Sequence, residues 1–496
     1  MLRVCLINPP LIRPQSWGKP SVFQPLGLAY IAAVLEKEHH VNIIDANAEG
    51  WRNLTVDDGR CVTGLSAEEL KERIRSARPD VVGISLQFSV NEASAVNVAT
   101  IVKSVDKGIF TILGGAHPTV RPVEMLSHPV VDFIVVGEGE HTAVELIQKI
   151  EAKAYDDFKS VRGIGYKKDG KPLITEPRPL IQDLDSLPFP ARRLLPMEEY
   201  FAAVGEGRGQ RQAYTLSDRW ASMFTSRGCP YGCNFCSIHL TMGKRFRARS
   251  PENVVQELEQ LVSDYGIKHI NFEDDNITFD RNRFKRLCDL IVERGLKITW
   301  SAPNGIRADI LDDDAVRKMR DSGCKRVYIA PESGVQRVVS DIVKKKLDLK
   351  KVEEAVVLLK KYGILVDAFF VIGLIGETKD DMRATIRYAK KLRKLGLNAA
   401  SFNIATPLYG TELYNEAKQK GYLKKDMTSN LLSPSEASIE TPEWTGEEVF
   451  ALKQIAWLEV NYSFKQKLFF ALTNLHKYRQ WMRVVRGLIT NRRVAK

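Results

Sequence analysis

The 496-residue chain lacks any uninterrupted apolar stretch near the ~18 residues that a membrane-spanning helix needs, so no spanning segment is expected. It also lacks a charged, apolar and small-residue leader, because Met1 runs directly into a strand-like segment, and a cytoplasmic protein is expected. No Ser-His-Asp set, H-E-x-x-H helix or Walker loop is present, which removes the commonest hydrolase, zincin and P-loop readings, and no G-x-G-x-x-G follows the first strand. Cysteine is scarce, at seven residues. Cys5, Cys61, Cys288 and Cys324 are scattered singly through apolar or helical patterns, as buried thiols of a reducing compartment are, and form no disulfide framework. Acidic residues are missing from Asn461 onward, where four lysines and five arginines place +9 of the net +12 charge. Basicity is a property of the tail.

With 44% apolar residues the chain can bury more than one core. Residues 1–150 alternate short apolar strands (Arg3 to Ile7, Val41 to Asp45, Val81 to Leu86, Phe110 to Leu113, Asp132 to Val136) with helical patterns (Gly27 to Glu38, Ala67 to Ala77, Ala93 to Val105, His141 to Lys149). Near-continuous apolar strands separated by helices predict a parallel, doubly wound sheet whose ligands bind off the carboxyl ends of the strands. Asn8-Pro9-Pro10, Ser85 to Ser89, Gly114 to Thr119 and Gly137 to Glu140 lie there. Residues 151–220 read as a connector, with a hairpin around Asp169-Gly170, an extended Pro-rich stretch from Leu187 to Pro196, and a charged run from Gly205 to Arg211 read as a solvent loop.

From Ala221 the alternation resumes. Strands are predicted at Ser222 to Ser226, His269 to Glu273, Lys297 to Ser301, Arg326 to Ala330, Val366 to Ile372 and Ala399 to Thr406, with helices near 251–265, 280–294, 312–323, 349–362 and 379–395. Six strand-helix units make a partial (β/α)6 barrel spanning 221–430, with its site at the carboxyl strand ends. Those ends carry Glu273-Asp274-Asp275, Pro303-Asn304, Pro331-Glu332-Ser333-Gly334, Gly373 to Thr378 and Pro407 to Thr411. Residues 431–496 read as a basic helical extension, with helices near 447–460 and 464–489. The second is either an amphipathic helix on an anionic membrane surface or a helix that closes the barrel and wears a cationic face.

The densest signal is Thr225-Ser226-Arg227-Gly228-Cys229-Pro230-Tyr231-Gly232-Cys233-Asn234-Phe235-Cys236. Loop cysteines spaced four and three positions apart can aim their sulfurs at one centre while Gly228, Pro230 and Gly232 let the backbone fold tightly. Soft thiolates select zinc, copper(I) or iron-sulfur clusters. A structural zinc wants a fourth donor, for which His239 or Cys324 is available, whereas a four-iron cluster on three cysteines keeps one iron open.

The spacing C-x3-C-x-aromatic-C resembles the signature of the radical S-adenosylmethionine (SAM) superfamily. Asn8-Pro9-Pro10, the G-G-x-H-P-T segment 114–119 and the G-E-G-E segment 137–140 resemble the cobalamin-binding domain of its cobalamin-dependent branch. The resemblance implies an α/β protein with an N-terminal doubly wound, Rossmann-like cobalamin-binding domain, a partial TIM-type radical SAM barrel and a helical C-terminal extension. It implies a 4Fe-4S cluster on Cys229, Cys233 and Cys236, SAM near Phe235, Glu273, Asp274, Glu332, Gly373 and Gly376, and cobalamin against Asn8, Pro9, Pro10, Ser85, Gly114, Gly115, His117, Thr119, Gly137 and Glu138. The acids have another reading as helix caps. The D-x-H-x-x-G segment by which many cobalamin proteins supply a histidine to cobalt is missing, so His117 is read as a polar loop histidine that touches a ligand edge or caps a helix.

The implied activity is reductive cleavage of SAM to a 5'-deoxyadenosyl radical and methylation of an unactivated carbon. The alternative is a radical cyclase or oxidoreductase that builds rings in a lipid or tetrapyrrole. The implied partners are a small-molecule or lipid substrate, a low-potential ferredoxin or flavodoxin, and a membrane surface met peripherally through the basic tail. A remote alternative is a nucleic-acid-modifying or binding protein that uses the basic tail, but no nucleic acid is expected, because the tail interleaves few aromatics and no RNA-binding module is evident.

Overall fold

The structure, a computed structural model, describes residues 1–14, 21–57, 60–206, 216–424 and 437–462. The second tail helix lies outside them, as does most of the charged run after Gly205. The chain divides into two compact units. The first comprises Met1–Pro230, Ile238–Asp275 and Asp289–Ser301; the second comprises Tyr231–Ser237, Asn276–Cys288 and the described part of Ala302–Lys496.

In chain order the strands are β1 (Arg3–Asn8), β2 (Leu11–Pro14), β3 (His40–Asp45), β4 (Leu54–Asp57), β5 (Arg60–Thr63), β6 (Val81–Ser85), β7 (Phe110–Gly114), β8 (Phe133–Val135), β9 (Ile164–Lys168), β10 (Lys171–Ile174), β11 (Trp220–Met223), β12 (Ser226–Arg227), β13 (Arg247–Ala248), β14 (His269–Phe272), β15 (Thr299–Ile306), β16 (Cys324–Glu332), β17 (Leu365–Ile372) and β18 (Ala399–Ile404). A seven-stranded sheet has the order β10-β9-β8-β7-β6-β1-β3. The pairs β3-β1, β1-β6, β6-β7 and β7-β8 are parallel, as the buried apolar runs predict. β9 and β10 pair antiparallel across the turn at Asp169 and Gly170, whose φ values of 50° and 76° fit a primed hairpin turn. Because β9 also pairs with β8, the hairpin completes the first sheet instead of merely linking two domains. The sequence reading passed over a small antiparallel sheet, β2-β5-β4.

The barrel strands follow chain order, β11-β14-β15-β16-β17-β18. Their helices begin where capping chemistry sets them: Ser250 accepts from Asn253 N ahead of Pro251–Tyr265, and Thr378 forms a capping box with Asp381 ahead of Lys379–Leu395. The unit boundary falls elsewhere than the expected one at residue 220. Gln24 accepts from Ser222 N at 3.1 Å and donates to the Trp220 carbonyl at 3.2 Å, so β11 is bonded to the N-terminal domain. Buried Arg192, from the supposed connector, pairs with buried Glu257 of the helix Pro251–Tyr265 and donates to the Ser222 carbonyl at 2.8 Å. The helix Gly446–Asn461 packs on β18 and on the helix Lys379–Leu395, so the described part of the C-terminal extension closes the barrel.

Candidate active site

The cysteine loop starts as a strand. Ser226 and Arg227 in β12 pair with Arg247 and Ala248 in β13, and Gly228 follows with φ 82°. A Cβ on Gly228 would stand 2.4 Å from the Arg245 carbonyl oxygen, so only glycine passes this turn. The loop's first anchor is Asp274, 2% exposed beyond the carboxyl end of β14. It accepts from Thr225 N at 3.1 Å and Thr225 Oγ1 at 2.7 Å, and from Ser226 Oγ. Its carboxylate holds the loop. Asp275 accepts from Gly228 N at 3.3 Å; burial, then the adjoining Asp274, push its carboxyl up to about 6. Glu273 is half-buried and accepts from Ser222 Oγ at 3.0 Å.

Cys229 belongs to the first unit, Cys233 and Cys236 to the second. All three thiols are half-buried, whereas the other four cysteines are buried. Among the described residues no three His, Cys, Asp or Glu side chains stand together as ligands of a single metal ion. Cys324, one candidate for a fourth zinc donor, opens β16 at the end away from the loops, and burial, followed by nearby Cys288, raises its thiol well above the usual range. Three thiolates in one loop are the donor chemistry of a four-iron cluster with one iron left open.

In the second unit, Asn234 is buried and anchors the middle of the loop: its N donates to the Val343 carbonyl at 3.1 Å, and its carbonyl accepts from Leu413 N at 3.0 Å. Glu332 sits at φ 67° after an irregularity in the β16-β17 register and pairs with Lys345 Nζ at 2.8 Å. A non-glycine residue held in left-handed backbone marks a place where strain is retained, as at ligand sites. Gly373 and Gly376, at φ 80° and 84°, shape the loop after β17. Glu377 is fully buried beneath that loop, accepts from Gly373 N at 2.8 Å and Leu374 N at 3.1 Å, and is pushed by burial up to about 8.

The cobalamin candidates gather at the carboxyl ends of β1, β6, β7 and β8. Gly115 needs glycine, because at φ 120° a Cβ would meet the Leu86 carbonyl oxygen at 2.6 Å. Thr119 Oγ1 donates to the Gly115 carbonyl at 2.8 Å and accepts from Gly137 N at 3.0 Å, joining two loops. A Cβ on Gly137 would have no atom within 4 Å, so this rim offers backbone to an approaching flat ligand. Asn8 is turned inward onto buried Asp45 at 2.8 Å, Pro9 is buried, and the Pro10 carbonyl accepts from Ser94 Oγ at 2.6 Å. Gly114 and Ser85 face each other in the β6-β7 register.

His117 and Glu138 both bond to neighbouring loops. His117, 1% exposed, has Nδ1 2.8 Å from Ser89 Oγ and Nε2 3.1 Å from Glu92, so the ring fastens the loop after β6. Glu138 bonds Arg227 and Arg247 at 2.8 and 2.9 Å and accepts from Ile181 N at 2.8 Å. Glu140 takes the other branch of Arg227 at 2.5 Å. The G-E-G-E loop is thereby bonded to the residue two positions before Cys229, and the short helix Ile238–Thr241 lies against Ala116–Val120.

Comparison with known families agrees with this arrangement. The model of the radical SAM superfamily matches residues 223–389 and that of the B12 binding domain residues 20–147. A cytidylyl-2-hydroxyethylphosphonate methyltransferase of Streptomyces wedmorensis is 33% identical over 87% of this chain and 85% of its own length. The chain belongs to the cobalamin-dependent radical SAM enzymes. An uncharacterized methyltransferase of Pyrococcus horikoshii is 35% identical over 84% of this chain and 83% of its own length. Among solved structures, the cobalamin-dependent radical SAM enzyme OxsB superposes with a TM-score of 0.71 at 16% identity, covering 99% of this chain and 71% of that one. The radical SAM methyltransferase TsrM of Kitasatospora setae gives 0.67 at 19%, covering 86% and 79%. As a member of this family the radical SAM enzyme described here uses a 4Fe-4S cluster, SAM and cobalamin.

Sequence reasoning missed Arg227, Arg247, Arg307, Lys345 and Glu377. Arg227 was visible as the residue before Gly228 but had no assigned partner; Arg307 was hidden because Pro303-Asn304 reads as a strand end, whereas β15 runs on to Ile306.

Proposed function

We propose that this radical SAM enzyme methylates a carbon of a small-molecule substrate. The observation that carries the reading is the 33% identity to a methyltransferase across both cofactor domains. Together the cofactors supply a one-electron cleavage of SAM, a hydrogen-abstracting radical and a cobalt-borne methyl group. The chain supplies binding, orientation and exclusion of water. Cys229, Cys233 and Cys236 hold the cluster, and Phe235, half-buried between two of them, lies beside the adenine. Glu273 orients the SAM amine in place of Asp274, and Glu332 meets the ribose or amine. Gly373 and Gly376 let backbone approach the adenine. Pro9, Pro10, Ser85, Gly114, Gly115, Thr119 and Gly137 form the corrin rim, and Asn8, His117 and Glu138 support it from behind. A low-potential ferredoxin or flavodoxin supplies the electron, and a lipid is the alternative substrate if the basic tail rests on a membrane.

Cyclisation is the second reading, supported by an anaerobic magnesium-protoporphyrin IX monomethyl ester cyclase of Rubrivivax gelatinosus, 28% identical over 80% of this chain and 66% of its own length. Anaerobic reconstitution with iron, sulfide and cobalamin, followed by SAM carrying a labelled methyl group, separates the two. Methylation adds one labelled methylene unit to the product; cyclisation removes two hydrogens and leaves no label. Cys233→Ala should lose the cluster spectrum and 5'-deoxyadenosine formation together. One zinc per wild-type chain with no cluster spectrum would overturn the reading.

A further inference from the structure

β12 and β13 are two residues each, and their register sets Arg227 directly opposite Arg247. Residues opposite each other in an antiparallel pair share a face, and like charges placed so push the strands apart. A two-stranded ribbon this short also has no stability of its own. Its other two residues, Ser226 and Ala248, carry no negative charge to offset the guanidiniums. The ribbon that opens the cysteine loop therefore depends on anions from elsewhere in the chain.

Those anions come from the G-E-G-E loop. Glu138 Oε1 accepts from Arg227 Nη1 at 2.8 Å, and both Glu138 oxygens accept from Arg247 Nη1 at 2.9 Å. Glu140 Oε1 accepts from Arg227 Nη2 at 2.5 Å. Two cations and two anions thus close on one another, none with a side chain more than 11% exposed, where screening is weak and a charge without its partner is costly. Gly137, which adjoins Glu138, donates its N to Thr119 Oγ1 and has open space where a Cβ would stand. Cys229 stands two residues after Arg227, and the stretch between is fixed: Gly228 N donates to Asp275 at 3.3 Å and Cys229 N to the Gly243 carbonyl at 3.4 Å. The four charges therefore join the open backbone of the rim to the first cysteine of the loop.

We infer that Arg227 is a positioning residue that makes the binding of cobalamin and the binding of the cluster interdependent. This rests on the reading that Cys229 holds the cluster and Gly137 meets the corrin. A cofactor that fixes either loop also fixes Glu138, Glu140 and Arg227 in the arrangement the other loop needs, so the second cofactor to bind has less freedom left to remove. Such coupling is reciprocal, each cofactor raising the affinity of the other by the same factor.

The test is an equilibrium titration of the full-length chain with hydroxocobalamin, read by the absorbance of bound cobalamin, on protein reconstituted with iron and sulfide and on protein carrying no cluster, with iron analysis of every sample. The reconstituted wild type should bind cobalamin about fivefold or more tightly than the cluster-free chain, the lower end of ordinary coupling between two sites. Arg227→Gln should bring that ratio below about twofold, outside the range of such coupling. Arg227→Gln combined with Glu140→Gln, which removes one charge of each sign and leaves Glu138 on Arg247, should do the same if the single variant fails to fold. Arg162→Gln, which breaks an exposed pair with Glu176, should keep the wild-type ratio. A residue that only supports the fold would weaken cobalamin equally in both samples and leave the ratio unchanged. A ratio of one in the wild type, the wild-type ratio kept in the Arg227 variants, or an equal loss in Arg162→Gln overturns the inference. A wild type that binds no cobalamin, or fewer than four irons, overturns the cofactor reading and the inference with it.

Discussion

Glu138 shows how a side chain's bonds are set by residues far along the chain. Its glycine-flanked position suggests a ligand contact, but its carboxylate is closed around Arg227, Arg247 and the Ile181 amide. Breaking a buried pair from one side leaves charge uncompensated, at about 3–5 kcal/mol. Glu138→Ala should therefore lower the unfolding free energy of the apo-protein, read from urea denaturation, by that amount, and an unchanged midpoint would show that Arg227 and Arg247 find other acceptors. Glu377 gives a pH signature. Its folded carboxyl is raised by burial from 4.5 to about 8, with one oxygen on two loop amides and Oε1 without a partner among the described residues. A raised carboxyl contributes stability that is fully present below the unfolded pKa near 4.5 and is lost as pH rises through about 8. Thermal midpoints should fall between pH 5 and pH 9 more steeply in the wild type than in Glu377→Gln, and equal slopes would count against a buried neutral acid.

At the scale of elements, the loops at the strand ends are built by glycines in left-handed backbone and by side chains that bond one loop to the next. Gly115 is the clearest case, since its φ of 120° and the nearby Leu86 carbonyl both exclude a side chain. Gly115→Ala should cost roughly 1–3 kcal/mol of stability and weaken cobalamin binding, read by the absorbance of retained cobalamin; full retention would place the corrin elsewhere. Most strands and helices were legible because buried parallel strands are continuous apolar runs and amphipathic helices carry caps. The helices 251–265 and 379–395 begin and end where periodicity, caps and a following glycine put them. The β4-β5 hairpin was also written in the sequence, as alternating Leu54-Thr55-Val56 before Asp58-Gly59, but its strands are short and half exposed, so their periodicity is weak.

Over the whole molecule, buried polar bonds tie β11 to the N-terminal domain, and bonds of that kind have no sequence period. The +9 segment from Asn461 onward follows a helix on which Phe450 and Trp457, seven positions apart, are both exposed. If the tail rests on anionic lipid, the full-length enzyme should sediment with phosphatidylserine-containing vesicles at low salt and be released by salt, and a chain ending at Tyr462 should not sediment. Equal behaviour of both chains would favour the barrel-closing reading.

By itself the sequence determined the cofactor set and the order of the two α/β domains, because ligand spacing, apolar runs and helix caps are local and survive being read along a line. Only the tertiary structure decided which partners the buried acids bond. Asp274, Glu138 and Lys345 acquire their roles from partners tens of residues away or more on other strands and loops, or, for Lys345, across a fold in its own loop, and a charge's task is set by what it is buried against.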